Sequence, residues 1–228
     1  MIVSLLGQKG GIGKSTTAVC LAMAALQHGA AVLVVDADPQ GTIRTWNDVA
    51  NERGASVPTV VAMGPSMHRP GQLDVLARRY DLTLIDCPPR QGDIQRSALM
   101  IADCALLPCG PSAADVWALS STLELVAEAR TLREQLQAAI VITRKQGRTT
   151  LGKAARAVLE ASGVTVLGSE LSYRISYQEA LAAGSGVTQH CPRDRAAREV
   201  AALLTELKEF VHVEEASGCY PTQTASVG

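Results

Sequence analysis

The sequence predicts an α/β domain built on a mainly parallel twisted sheet covered by helices on both faces. Three observations carry that expectation. Seven short apolar runs alternate with longer segments of helix-forming residues, the pattern of successive βαβ units. Runs such as Ala31 to Val35 are apolar without interruption, as strands buried on both faces are. The first run leads straight into a glycine-rich turn that opens a helix. At 228 residues, with 47% hydrophobic content and a formal charge of −1, the chain has the size and composition of one domain with a substantial core.

The first run, Ile2, Val3, Leu5 and Leu6, precedes Gly7-Gln8-Lys9-Gly10-Gly11-Ile12-Gly13-Lys14-Ser15-Thr16. Strand, glycine-rich turn and helix N-terminus in that order build a nest of backbone N–H groups, and the helix dipole adds to its preference for phosphate. The ending Gly13-Lys14-Ser15 fits G-x-x-x-x-G-K-[ST], with Lys14 for the β- and γ-phosphates and the Ser15 hydroxyl for Mg²⁺. The first glycine of that pattern would fall at position 8, where this chain has Gln8. Lys9 is a second cation within the loop.

Thr16 to His28 reads as a helix stopped by Gly29, and Ala31 to Val35 as a buried strand ending at Asp36. Asp36-Ala37-Asp38-Pro39-Gln40-Gly41 then sets two carboxylates at the carboxyl end of that strand, the edge where open α/β sheets bind ligands. Helices are expected over Ile43 to Arg53 and Leu73 to Tyr80, with a short strand, Thr59 to Met63, and a loop, Gly64 to Gly71, between them. Leu82 to Ile85 is a strand ending in Asp86. Pro88-Pro89 cannot continue a strand ladder and fixes a stiff turn after it.

Ile94 to Ala102 reads as a helix, Ala105 to Pro108 as a strand, and Ala114 to Leu136 as one long helix with Val116, Leu119, Leu123 and Val126 at helical spacing. Ala139 to Thr143 and Val164 to Leu167 are the remaining strands, separated by a helix from Thr149 to Ser162. Helices over Ile175 to Ala183 and Asp194 to Val211 close the domain. The latter has Val200, Leu203, Leu204, Leu207 and Val211 on one face. The domain is expected to span 1–211, and the Ser-, Thr-, Gly- and Ala-rich tail 212–228 to be disordered.

Composition narrows the function. Aromatic content of 3% argues against a stacking platform for single-stranded nucleic acid. Six cysteines with no C-x-x-C pair read as reduced, mostly buried thiols of a cytosolic protein. No signal peptide precedes the first strand, and no apolar run reaches the roughly 18 residues of a membrane span. The overall charge does not announce nucleic-acid binding. Residues 141–200, however, set Arg144, Lys145, Arg148, Lys153, Arg156, Arg174, Arg193, Arg195 and Arg198 against Glu160, Glu170, Glu179, Asp194 and Glu199. Such a locally basic stretch can contact duplex phosphates without reading sequence.

Lys9-Gly10-Gly11-Ile12-Gly13-Lys14-Ser15 resembles the deviant Walker A motif of the ParA/MinD family of ATPases, closest to the small ParA-type (ParF-like) partition members. Asp36 to Gly41 resembles that family's D-x-D-P-Q-G box. The strand ending in Asp86, with Pro88-Pro89 after it, looks like its Walker B acid and second switch region. The resemblance implies a single-domain P-loop NTPase that hydrolyses ATP with Mg²⁺. Gly10, Gly11, Ile12, Gly13, Lys14, Ser15 and Thr16 would hold the nucleotide, and Ser15, Asp36 and Asp86 the metal. Lys9, Lys14 and Asp38 would be catalytic, with Lys9 reaching across a dimer interface to the partner's nucleotide and Asp38 orienting the attacking water. Thr143 and Arg144 are the candidates for the base, although Ser172-Tyr173-Arg174 lacks the proline often found there.

The resemblance further implies a homodimer around ATP, nonspecific binding to double-stranded DNA, and a ParB-type or cargo-adaptor protein that stimulates hydrolysis. The expected location is cytoplasmic, on the nucleoid. The expected cargo is a plasmid, the alternatives being a protein cargo such as a carboxysome or chemoreceptor cluster, or a MinD-like membrane-associated ATPase. No membrane is expected, since no Lys or Arg follows Lys208 to build a basic amphipathic tail. A kinase or ligase on this fold would leave Lys9 without a purpose.

Overall fold

Every strand pairing in the sheet is parallel, and the strand that feeds the glycine-rich loop lies at its centre. The computed structural model describes residues 1–147 and 150–217, the side chains of 150–153 and 213–217 excepted. In its first half, β1 (Ile2–Leu5), α1 (Lys14–Gln27), β2 (Val32–Asp36), α2 (Thr42–Glu52), β3 (Thr59–Ala62), α3 (Leu73–Ala77), β4 (Leu82–Asp86) and α4 (Gly92–Leu99) alternate. The second half continues with β5 (Cys104–Cys109), α5 (Ala113–Arg130), β6 (Gln137–Lys145), α6 (Thr150–Glu160) and β7 (Thr165–Ser172). It ends with α7 (Ile175–Ala182), α8 (Val187–His190) and α9 (Arg195–Ser217). The strand order is β3-β2-β4-β1-β5-β6-β7.

Alternate side chains of each strand enter two separate apolar layers, as the two-residue period of a strand requires. Val3, Leu5, Leu84 and Leu106 face α1 and α9, packing against Leu21, Val200, Leu203 and Leu207. Leu6, Ile85 and Leu107 face the other way, against Leu99, Leu119 and Val126 of α4 and α5. Burying a Leu or Val side chain fully is worth about 1.5–3 kcal/mol. The central strands therefore draw on both layers, and their carboxyl ends are held rigidly. Register fixes the rest: Leu5 and Asp36 each stand beside Asp86. The acids after β2 and β4 and the loop after β1 thus share one edge.

Several boundaries differ from the sequence expectation. α5 ends at Arg130, not Leu136. Arg130 Nε donates to the Leu136 carbonyl at 2.9 Å and Thr131 Oγ1 to the Glu128 carbonyl at 2.7 Å, and Leu132 turns out to solvent. The apolar spacing continues past the helix, but the chain has already turned. β6 and β7 are longer than their apolar runs, and the short helix α8 has no counterpart in the sequence pattern. α9 runs on to Ser217, into the stretch expected to be disordered, while 218–228 lie outside the described residues. Cys20, Cys87, Cys104 and Cys109 are buried and Cys191 half-buried; Cys219 is outside the described residues.

Candidate nucleotide site at the carboxyl edge of the sheet

Gly13 is the N-cap of α1, at φ 93°, and Gly11 has φ 73°, a backbone region in which a side chain is strained. No side chain caps α1 among the described residues, so its first N–H groups are left to a ligand held by the loop. A Cβ at Gly10 or Gly11 would meet nothing within 4 Å, so the loop is open where a phosphate would approach. A Cβ at Gly7 would crowd the end of the Ile12 side chain, so the loop is packed there and not at Gly10 or Gly11. Gln8 Nε2 donates to Gln95 Oε1 at 2.9 Å, and Gln95 Nε2 to the Pro88 carbonyl at 2.8 Å, a relay from the loop to the double-proline turn.

Lys14 is 7% exposed, and its ammonium donates to two carbonyls, of Gly7 at 3.3 Å and Lys9 at 3.2 Å. Burial lowers its pKa, with Asp86 the main opposing charge. Asp86 is 1% exposed. Its Oδ2 accepts from Ser15 Oγ at 2.6 Å, and its Oδ1 has no hydrogen-bond partner among the described residues. Burial raises its pKa to about 7, against the Ser15 hydrogen bond and the Lys14 charge, which pull it down. An orphaned carboxylate oxygen in the interior is costly. Beside a hydroxyl at the foot of a phosphate nest it has the chemistry of a hard divalent cation site, so Ser15 and Asp86 fit Mg²⁺.

Residues 3–187 match the CobQ/CobB/MinD/ParA nucleotide binding domain. The chain belongs to this family. It is 34% identical over 202 residues to the maintenance of carboxysome distribution protein A of Halothiobacillus neapolitanus, covering 87% of this chain and 92% of that protein. It is 29% identical over 248 residues to the chromosome-partitioning ATPase Soj of Thermus thermophilus, covering 94% and 97%. The septum site-determining protein MinD of Pyrococcus horikoshii, solved with Mg-ADP, shares the fold with a TM-score of 0.70 at 20% identity, over 93% of this chain and 98% of that one. The expectation of a P-loop NTPase domain of ParA/MinD type, with a parallel sheet between helices, is met.

Within this ParA/MinD-type domain, other expected site residues take particular places. Asp36 is 2% exposed; its Oδ1 accepts from the Asp38 N–H at 3.2 Å and its Oδ2 from the Arg44 N–H at 3.0 Å and Nε at 3.3 Å. It caps α2 from a distance and sets the turn that carries Asp38. Asp38 itself is half-buried, accepts from the Gln40 N–H at 2.9 Å, and acts electrostatically on both Lys14 and Asp86. Thr143 Oγ1 donates to the Ile12 carbonyl at 2.8 Å and Arg144 Nη1 to the Gly11 carbonyl at 3.0 Å, so both brace the loop. They also line a cavity of about 390 Å³ with Thr17, Tyr173, Tyr177 and Gln178. Sequence reasoning missed Arg44, Gln95 and Tyr177 as parts of this edge, while the Ser172-Tyr173-Arg174 segment does border it.

Lys9 extends sideways and pairs with Asp115 at 2.5 Å. The basic stretch is largely self-neutralised. Lys145 pairs with Glu170, Arg156 with both Glu170 and Glu160, Arg174 with Asp194 at 3.7 Å, and Arg195 with Glu199 at 2.9 Å. Arg193 and Arg198 have no ion-pair partner among the described residues. The Arg148 and Lys153 side chains lie outside them. Lys145, Arg174 and Arg195 do border one recess, and Arg195 and Arg198 line another.

Proposed function

We propose that this chain is an ATPase that dimerises around ATP, hydrolyses it to ADP and phosphate, and uses that cycle to position a cargo. The observation that carries the reading is the buried Asp86, with one oxygen on Ser15 and the other unpartnered, beside a buried lysine and an open glycine loop. Bound Mg²⁺ would supply charge neutralisation there. The chain's own groups divide the remaining work. The backbone from Gly10 to Thr16 holds phosphate oxygens, Lys14 offsets the charge of the transferred phosphoryl, and Asp38 accepts a hydrogen bond from the attacking water. Asp36 and Arg44 keep the Asp38 turn in place. Thr143 and Arg144 hold the loop from behind and, with Tyr173 and Tyr177, border the space for the base.

The 34% identical carboxysome-distribution relative favours a protein assembly as cargo. A plasmid is the second reading, supported by the chromosome-partitioning relative. In either case a partner protein would stimulate hydrolysis, and nonspecific duplex DNA on the nucleoid would be the track, held by Arg193, Arg198 and the recesses beside them. Residues 1–211 would form the catalytic domain and 212–228 an appended tail. Among the described residues no helix is long and apolar enough to cross a membrane. The test is product analysis and capture. Wild type should release ADP and inorganic phosphate from ATP, and Asp38→Ala loaded with ATP should retain the partner protein, whose own cargo then decides between the two readings. Transfer of phosphate to an acceptor other than water would overturn the proposal.

A further inference from the structure

The double-proline turn leaves Asp86 at the same edge as the glycine loop, and its backbone offers little to fasten it. Neither Pro88 nor Pro89 has an N–H, so their carbonyls are the handles. The next residue, Arg90, sits at φ 59°, a left-handed conformation that costs energy for a residue with a side chain and persists where the surroundings enforce it. The Pro88 carbonyl accepts from Gln95 Nε2 at 2.8 Å. Gln95 is the fourth residue of α4 and is 0% exposed, and its Oε1 accepts from Gln8 Nε2 at 2.9 Å. A carbonyl only accepts, so Gln95 Nε2 must face Pro88, its Oε1 must face Gln8, and Gln8 must donate. The relay therefore has one orientation.

We propose that Gln95 is a positioning residue for hydrolysis: through Gln8 and Pro88 it makes the glycine loop and the double-proline turn move as one body, so that nucleotide held by the loop fixes where the turn stands beside the terminal phosphate. The inference rests on the nucleotide reading above. Burial makes the link stiff. Breaking the inner hydrogen bond leaves the buried Pro88 carbonyl unsatisfied, so the turn stays with Gln95. At the other end Gln8 is half-buried and, with Arg90 and Gly92, borders a recess between α4 and α5. Its amide meets water there, so the relay opens at the Gln8 end. Gln8 stands where the loop motif has glycine, and a glycine at that position would have no side chain to reach Gln95. The departure from the motif is thus what joins the loop to the turn.

Amide hydrogen exchange on the full chain tests the coupling without hydrolysis. In wild type, ADP with Mg²⁺ should slow exchange in the glycine loop and, through the relay, at Arg90 to Gly92, the first amides after the prolines. Gln95→Met keeps the side-chain length and removes both hydrogen bonds, while Gln8→Ala cuts the relay at its half-buried end and spares the core. In both variants ADP should still protect the loop and no longer protect Arg90 to Gly92. In turnover, Gln95→Met should lower kcat about tenfold and leave ADP affinity within about twofold of wild type, because a misplaced turn is felt in the transition state and not in phosphate holding. Gln95→Glu supplies a rescue: its carboxyl, when protonated, donates to Pro88 and accepts from Gln8 as the amide does, and when ionised it cannot donate. Its kcat relative to wild type should rise several-fold as pH falls from about 8 to about 6, since burial raises a carboxyl's pKa, while the Gln95→Met ratio stays flat. Arg90 to Gly92 protected by ADP in both variants, or unprotected in a wild type whose loop is protected, would overturn the coupling. A wild-type kcat in Gln95→Met, or a flat ratio in Gln95→Glu, would overturn the role in hydrolysis. A wild type in which ADP protects neither segment would instead refute the nucleotide site, and this inference would fall with it.

Discussion

The nucleotide edge and the stretch between residues 141 and 200 both gather charge, and they treat it in opposite ways. At the edge, among the described residues, Lys14 donates to carbonyls alone and Asp86 keeps one oxygen without a partner, though both are buried. Along the basic stretch, Lys145, Arg156, Arg174 and Arg195 are each matched to a carboxylate of the same stretch, at or near the surface. Incomplete compensation in the interior is expensive and persists where a charged ligand completes it. Exposed ion pairs are cheap and common, and need no ligand to explain them. The comparison separates a site from a surface by what each leaves unsatisfied, where residue counts alone would rank the basic stretch first.

The largest effect should come from the edge. Lys14→Ala is expected to abolish nucleotide binding, while Asp38→Ala binds ATP with near wild-type affinity and loses nearly all hydrolysis, measured by calorimetry and phosphate release. Equal losses of affinity in both would erase the division between holding phosphate and aligning water.

Asp86 gives the next. Its carboxyl is raised from 3.8 to about 7 by burial, so the folded state favours the protonated form. The resulting destabilisation is absent below about pH 4, grows by roughly 1.4 kcal/mol for each pH unit between about 4 and 7, and is complete above about 7. Metal-free wild type should therefore lose stability as pH rises through that window. Asp86→Asn should melt several degrees higher than wild type at about pH 8 in EDTA, with the difference vanishing near pH 4, and it should no longer be stabilised by Mg²⁺ with nucleotide. An Asn variant less stable at both pH values would mean that Asp86 is compensated in a way its geometry does not reveal.

On the basic stretch the effects are smaller and ranked by pairing. Arg195→Glu with Arg198→Glu should lose ATP-dependent binding to a random duplex without losing the dimer, and Arg198→Glu alone should account for more of that loss than Arg195→Glu. Binding by the wild type should weaken steeply with salt, as phosphate contacts do. Salt-indifferent binding, or binding equally strong with ADP, would remove DNA from the reading. The smallest change is a gain: Glu170→Gln takes the shared acid from Lys145 and Arg156 and should tighten duplex binding by about two- to threefold, within the range of a surface ion pair.

How much of this could be read from the residues follows the same division. The glycine loop, the acids after β2 and β4 and the double proline are local, each placed by a strand end, so spacing was enough to bring them to one edge. Asp36 was placed at this edge, but the donors that meet its carboxylate, Arg44 and the Asp38 N–H, were not foreseen; the αL N-cap at Gly41 before α2 leaves no trace in hydrophobic pattern. The start of α5 was legible to within a residue from its apolar spacing. The Lys9–Asp115 pair was not, because that contact crosses from the loop after β1 to α5. The end of α5 was overrun since Leu132 and Leu136 prolong a helical spacing, and exposure of Leu132 is a tertiary fact. The stretch 141–200 read as locally basic because opposite charges were counted without knowing which ones meet.

The central place of β1 bears on how the chain assembles. β1 is the first of the seven strands to be synthesised, yet both of its neighbours, β4 and β5, lie about 80 to 100 residues further on. Closing loops of that length carries an entropic cost before any pairing rewards it, and such non-local topologies fold slowly. The glycine loop is therefore expected to take its native shape only once β1 is flanked on both sides. Nucleotide can then protect the chain from proteolysis only in the last phase of refolding, and a nascent chain released before β5 is synthesised has no phosphate site to be rescued by.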